Sequence, residues 1–98
     1  MEKFPPDLPP PVRHRPEAHR YELSVGRLTA FTEYRDEDGR RIFYHTFVPP
    51  ELRRKGLAGA VVRRALNDSR AENRRVRPDC SYVAGFIQKN PEFKVLLD

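Results

Sequence analysis

His45-Thr46-Phe47-Val48-Pro49-Pro50-Glu51-Leu52-Arg53-Arg54-Lys55-Gly56-Leu57-Ala58-Gly59-Ala60 is the stretch on which the fold turns. An apolar strand runs into two prolines, a basic glycine-bearing turn follows, and an amphipathic helix opens. That order gathers free backbone N–H groups, the positive end of a helix and three cationic side chains at one point. Such a point suits a polyanion, most simply a phosphate or pyrophosphate. The bland alternative is a helix that begins with glycine after a charged turn, and the loop alone does not separate the two.

Downstream, apolar or small residues recur at 57/58, 61/62, 65/66 and 69, a helical stripe that faces a sheet. Arg63, Arg64, Asn67, Asp68 and Arg70 take the solvated side, and the helix should end near Asn73. Arg75-Val76-Arg77-Pro78 reads as a short strand. Asp79 is placed to cap a second helix over residues 80–89, with Val83, Phe86 and Ile87 as its buried face. Asn90-Pro91 stops that helix, and Phe93, Val95, Leu96 and Leu97 form a last apolar segment that must dock.

Upstream, Tyr21, Leu23 and Val25 alternate with Arg20, Glu22 and Ser24, the pattern of a half-buried strand. Gly26-Arg27 turns the chain into a second strand over residues 28–34, rich in aromatic and β-branched residues. Asp36-Glu37-Asp38-Gly39 signals a hairpin, since glycine supplies a positive φ. The third strand, residues 41–48, is apolar on both faces and should be central. Residues 1–19 hold six of the ten prolines and little periodic apolar pattern, so they read as a flexible tail before a domain over 20–98. The fold class is therefore α/β: one domain with a mixed, mostly antiparallel sheet and two main helices, in the order β-β-β-α-β-α. The strand–helix–strand unit at its centre should cross over right-handed.

Ninety-eight residues make one domain with a small core, and no internal repeat is present. The formal charge of +5 favours anionic partners without choosing among them. A single cysteine excludes an internal disulfide and suits a reducing compartment. No apolar run approaches a membrane span or a signal-peptide core, so the cytosol is the expected location and no membrane partner is expected. Arg53, Arg54, Lys55, Arg63, Arg64, Arg70, Arg74, Arg75 and Arg77 keep a nucleic-acid-binding module as a rival. The interleaving of Asp68 and Glu72 makes a solvated charged face the more economical reading.

The chain resembles a small GNAT-type acyltransferase domain, of the minimal subfamily that lacks the usual N-terminal helices. Three features carry the resemblance. Arg53-Arg54-Lys55-Gly56-Leu57-Ala58 is similar to that superfamily's acyl-CoA pyrophosphate loop, Gln/Arg-x-x-Gly-x-Gly/Ala, and the strand through His45-Thr46-Phe47-Val48 leads into it. The helix from Leu57 resembles the one that follows the loop. Arg77-Pro78-Asp79-Cys80-Ser81-Tyr82-Val83 and Phe86 to Phe93 resemble the last strand and helix of the minimal subfamily. The resemblance implies an acetyl-CoA site: backbone amides from Arg54 to Ala58, including Gly56 and Leu57, around the pyrophosphate, with Arg53 and Lys55 adding charge. The strand edge at Phe47 and Val48 would receive the pantetheine arm and polarise the thioester carbonyl. The acceptor would be an amine, small or protein-borne, on a side left open by the absent helices.

The tyrosine that protonates the leaving thiolate in many members of that superfamily is replaced here by Ile87. Cys80 is the substitute candidate, at the first turn of the last helix with Arg77 nearby, where N–H groups and a cation favour a thiolate. It could take the acetyl group or move a proton, or it could be a small residue filling a gap. His45 could serve as a base, or could be a hydrogen-bonded interior histidine between Phe43 and Phe47. Tyr82 reads as packing. His14 and His19 form no metal-ligand pattern with Cys80. A family member that binds acyl-CoA without turnover is the remaining alternative.

Overall fold

The computed structural model describes residues 11–98. Five strands, β1 (Arg13–Arg15), β2 (Arg20–Val25), β3 (Leu28–Glu37), β4 (Arg40–Phe47) and β5 (Arg75–Pro78), form one sheet in the order β1-β2-β3-β4-β5. The first three pairings are antiparallel and the β4–β5 pairing is parallel. Helix α1 (Leu57–Ala71) makes the crossover between β4 and β5, and α2 (Ser81–Lys89) follows β5. The β3–β4 hairpin closes on Asp38 and Gly39, both at positive φ (53° and 79°), as a two-residue primed turn requires.

Both helices lie on the same face of the sheet. Val61, Val62, Ala65 and Leu66 of α1 and Val83 and Ile87 of α2 share one buried cluster with Tyr21, Leu23, Tyr34 and Phe43 of the strands. Phe93 and Leu96, from the 3-10 segment Pro91–Leu96, complete it, and Leu97 bridges in parallel to Val76 at the outer edge of β5. The last apolar segment therefore docks as expected, except for Val95, which is 68% exposed. The opposite face of the sheet is covered by no element among the described residues.

The expected four strands are joined by a fifth. Residues 1–10 of the expected tail lie outside the described residues, but Arg13–Arg15 pairs antiparallel with β2 and ends any free tail before His19. Its hold is polar and so left no apolar period to read. The His14 ring stacks on Tyr21 at 4.1 Å with planes 4° apart, and its Nε2 lies 2.6 Å from the Tyr34 hydroxyl. Arg64 of α1 donates to the Val12 carbonyl at 2.9 Å.

Behind His14 sits Arg41, only 3% exposed, a burial tolerable because its charge is fully answered. It donates to Asp36 at 2.8 and 3.0 Å, to Glu72 at 3.1 Å and to the Tyr21 hydroxyl at 3.3 Å. Tyr21 in turn donates to Asp68 at 2.9 Å. Burial first, and then the Arg41 charge, hold the His14 pKa below its ordinary value.

The second helix begins one residue later than expected. Cys80 is its N-cap, and Asp79 caps nothing because its carboxylate accepts from Arg77 at 2.9 Å.

Candidate active site

β4 and β5 stay paired for only four residues, from Arg40↔Arg75 to Phe43↔Pro78. Cys80 N–H donates to the Phe43 carbonyl at 2.9 Å and closes the seam. β5 then turns into α2, while β4 runs on to Phe47 with no strand on that side among the described residues. A bulge sharpens the divergence: Glu33 faces His45 and Tyr34 faces Phe43, so Tyr44 has no register partner. The extra residue bends β4 away from its neighbour. The parting opens a cleft of ≈ 440 Å³ lined by Thr46, Phe47, Val48, Leu52, Arg53, Arg54, Gly56, Leu57, Ala58 and Tyr82.

The floor of the cleft is the loop of the opening stretch. Pro50–Leu52 makes one 3-10 turn that buries Leu52 and pins the loop to the core. Arg53 Nε donates to the Val48 carbonyl at 3.0 Å, tying the two ends of the loop together. Arg54 and Gly56 both lie in the left-handed region, at φ 63° and 73°. Gly56 is the N-cap of α1, and no side chain caps that helix. Its first turn closes with Ala60 N–H donating to the Gly56 carbonyl, so the N–H groups of Leu57, Ala58 and Gly59 have no acceptor within the helix. A Cβ built on Gly56 meets no atom within 4 Å, so the space before these donors is open. Uncapped donors, the positive end of a helix and the nearby Arg53 and Arg54 are the groups that could hold an anion here.

Seven of the residues singled out from sequence stand on the cleft wall: Phe47, Val48, Arg53, Arg54, Gly56, Leu57 and Ala58. Lys55 belongs to the same loop but not to the wall, and it is exposed. Cys80 stands just behind the wall, its Sγ donating to Thr46 Oγ1 at 3.3 Å. The polarity of this contact follows from its neighbours. Thr32 Oγ1 donates to the His45 carbonyl at 3.3 Å, so in the 2.9 Å pair of Thr32 and Thr46 the hydrogen comes from Thr46. Thr46 has then only lone pairs to offer Cys80, which is held as a donor thiol. The Arg77 guanidinium expected beside Cys80 is engaged by Asp79.

His45 is not an interior histidine. The bulge puts it on the uncovered face, where it is exposed and meets Phe31 edge-on at 5.7 Å. Ile87 is buried and gives the site no proton donor. Thr46, Leu52 and Tyr82 are wall residues that the sequence reading missed. Tyr82, expected to pack, is instead 40% exposed on the cleft, and partial burial raises its pKa above the ordinary value. Its place one residue into α2 was a usable signal once that helix was put against the loop. The bulge that sorts Thr46 from His45 has no sequence mark. Among the described residues no group of three or more His, Cys, Asp or Glu side chains could hold a metal ion.

The fold has a solved counterpart. The solution structure of a Staphylococcus aureus protein, described there as similar to the N-acetyltransferase GCN5, superposes with a TM-score of 0.72 at 16% identity, covering 90% of this chain and 87% of that one. At that identity the likeness shows a shared architecture. No curated protein matches the sequence. The sequence pattern described as GCN5-related N-acetyl-transferase matches residues 20–96, from the start of β2 to the end of the last 3-10 segment. With four-fifths of its length inside that match and the parted β4–β5 seam beneath it, the chain belongs to the GCN5-related N-acetyltransferase family.

Proposed function

We propose that the protein transfers an acetyl group from acetyl-CoA to the nitrogen of an amine. The observation that carries this reading is the uncapped start of α1, set in a cleft between two parallel strands that part. The pyrophosphate would be held by the loop and first-turn amides from Arg54 to Ala58, with charge from Arg53, Arg54 and Lys55. The pantetheine arm would lie along the open edge of β4 at Phe47 and Val48. A strand N–H there would polarise the thioester carbonyl and stabilise the oxyanion of the tetrahedral intermediate.

The amine nitrogen attacks the carbonyl carbon, the C–N bond forms, and the C–S bond breaks with its electron pair leaving on sulfur. The donor thiol of Cys80 is the candidate proton source for that thiolate. Once ionised, Cys80 would receive the Thr46 hydroxyl hydrogen, which turns away from Thr32. His45, on the uncovered face, is the candidate acceptor for the proton lost by the amine.

A protein that binds acyl-CoA without turnover is the second reading, favoured by the burial of Ile87 where the larger superfamily carries its acid. No helix among the described residues is long and apolar enough to cross a membrane, and with the lone cysteine this supports work in the cytosol.

Titration calorimetry with acetyl-CoA, followed by intact-protein mass spectrometry, tests the reading. Saturable binding is expected, and Cys80→Ser should keep the affinity while losing turnover. Turnover retained by Cys80→Ser would remove the cysteine from the mechanism, and absence of saturable binding would end the reading altogether.

A further inference from the structure

The cleft does not stop at the helix-bearing face. Its wall includes Thr46, which points to that face and meets Cys80, and Phe47, which points to the other and meets Phe31 at 5.9 Å. The cleft beside the β4–β5 gap is thus bordered by residues of both faces of the sheet. On the donor reading above, a thioester arm laid along β4 from the start of α1 would bring its reactive end beside Phe47, and an acceptor would approach it from the uncovered face.

That place has its own chemistry. Phe31, His45 and Phe47 form a corner of three rings, and Phe47 is 42% exposed with no described element above it. Nearby Tyr44, the bulge residue, is 46% exposed. The corner already holds a cation: the Arg20 guanidinium carbon lies 3.9 Å from the Phe31 ring centroid. The ring of Phe47 carries no such cover. The charges bordering the corner are matched among themselves, Arg20 with Glu33 at 2.9 Å and Arg15 with Glu22 at 3.1 Å. They offer no track of uncompensated carboxylates for a polyamine and no basic stripe for a nucleic acid.

We propose that the acceptor is a small primary amine carried on an aromatic ring, whose ring stacks against Phe47 in the corner made with Phe31 and His45. This rests on the acetyl-transfer reading above. The ammonium is drawn by the π face of Phe47, which no cation among the described residues covers, and lies toward His45. It gives one proton to the His45 imidazole, the nitrogen bonds to the acetyl carbon, and the C–S bond breaks with its electron pair on sulfur. The thiolate takes a proton from Cys80 or water, and the second amine proton passes through water to restore that donor. The products are an N-acetyl aromatic amine and free coenzyme A.

The test uses the full chain with saturating acetyl-CoA and follows thiol release together with product mass. Phenethylamine and tryptamine are compared with spermidine and with a lysine-containing peptide. The aromatic amines should show the higher kcat/KM. Phe31→Leu, which keeps an apolar volume and lies off the cleft wall, should raise the aromatic amine's KM roughly five- to tenfold, the scale of one lost ring contact. Its acetyl-CoA affinity, measured separately by calorimetry, should not change. Phe31→Tyr should restore the KM. Preference for spermidine or the peptide overturns the proposal, as does an unchanged KM in Phe31→Leu. Acetyl-CoA binding without transfer to any amine overturns it while sparing the donor site. Loss of acetyl-CoA binding itself removes the donor reading and this proposal together.

Discussion

Gly56 does two things at once. At φ 73° it takes a backbone shape that other residues adopt only with strain, and its bare Cα leaves open the ground in front of the α1 donors. Gly56→Val should fold at a cost of about 1–3 kcal/mol, because its new side chain enters open space and strains only the backbone. It should nevertheless abolish the rise in Tm that acetyl-CoA gives the parent, since a branched side chain now occupies the phosphate's approach. A normal ligand-induced shift in the folded variant would contradict the loop assignment. His14 supports a second prediction. Its folded pKa is depressed, so between that value and the unfolded value of about 6.5 the unfolded chain binds more protons, and stability rises with pH across that window. The protein should therefore keep a constant Tm above about pH 7 and lose stability as pH falls below about 6.5. The groups facing the ring are Tyr21, Tyr34, Arg41, Arg64, Asp68 and Glu72. His14→Phe, which keeps a stacked ring but cannot titrate, should flatten that slope, as thermal melts from pH 5 to 8 would show. An unaltered slope would assign the dependence to other groups.

At the level of elements, β1 was the surprise. It has only three residues, yet its histidine reaches into the network around Arg41, and its neighbour Val12 is held by Arg64 and packs against the core. Deleting residues 1–10 should leave the described contacts intact, whereas a chain starting at Arg20 should lose about 1–3 kcal/mol, the combined worth of a ring stack and two hydrogen bonds. Chemical denaturation of the two truncations decides it: equal stability would show that β1 is an ornament. The contrast shows what the sequence makes legible. β2 and α1 were readable because alternation and a 3.6-residue stripe are enforced by burial, and β5 because it sits between a helix end and a proline. β1 was not, because its contacts are chiefly polar and come from residues 5 to 52 positions away. For the same reason the loop could be read from Pro49 to Ala58, but the destinations of His45 and Cys80 could not. One inserted residue at Tyr44 moved His45 to the other face and left Thr46 to meet Cys80.

The described residues form a two-layer object, with one layer of helices and one sheet face that no described element covers. A core this small leaves its stability open to whatever binds the folded state. Acetyl-CoA at about a hundred times its Kd should add about 2.7 kcal/mol, enough to move Tm by several degrees in a scanning-fluorimetry titration. A flat titration would mean that the cleft is vacant of function. The early end of the β4–β5 pairing has a further consequence, in the chemistry of deuterium. Amides of the last part of β4 that point into the gap have no carbonyl opposite them, unlike those that face β3. In heavy water the free protein should give up the hydrogens on that side of the strand within the earliest time points. Their partners across the same strand should persist far longer, so that one stretch of four residues carries two exchange clocks. A thioester-bearing arm laid along the open side would bring the two clocks together, and the residues that slow would trace the ligand's path.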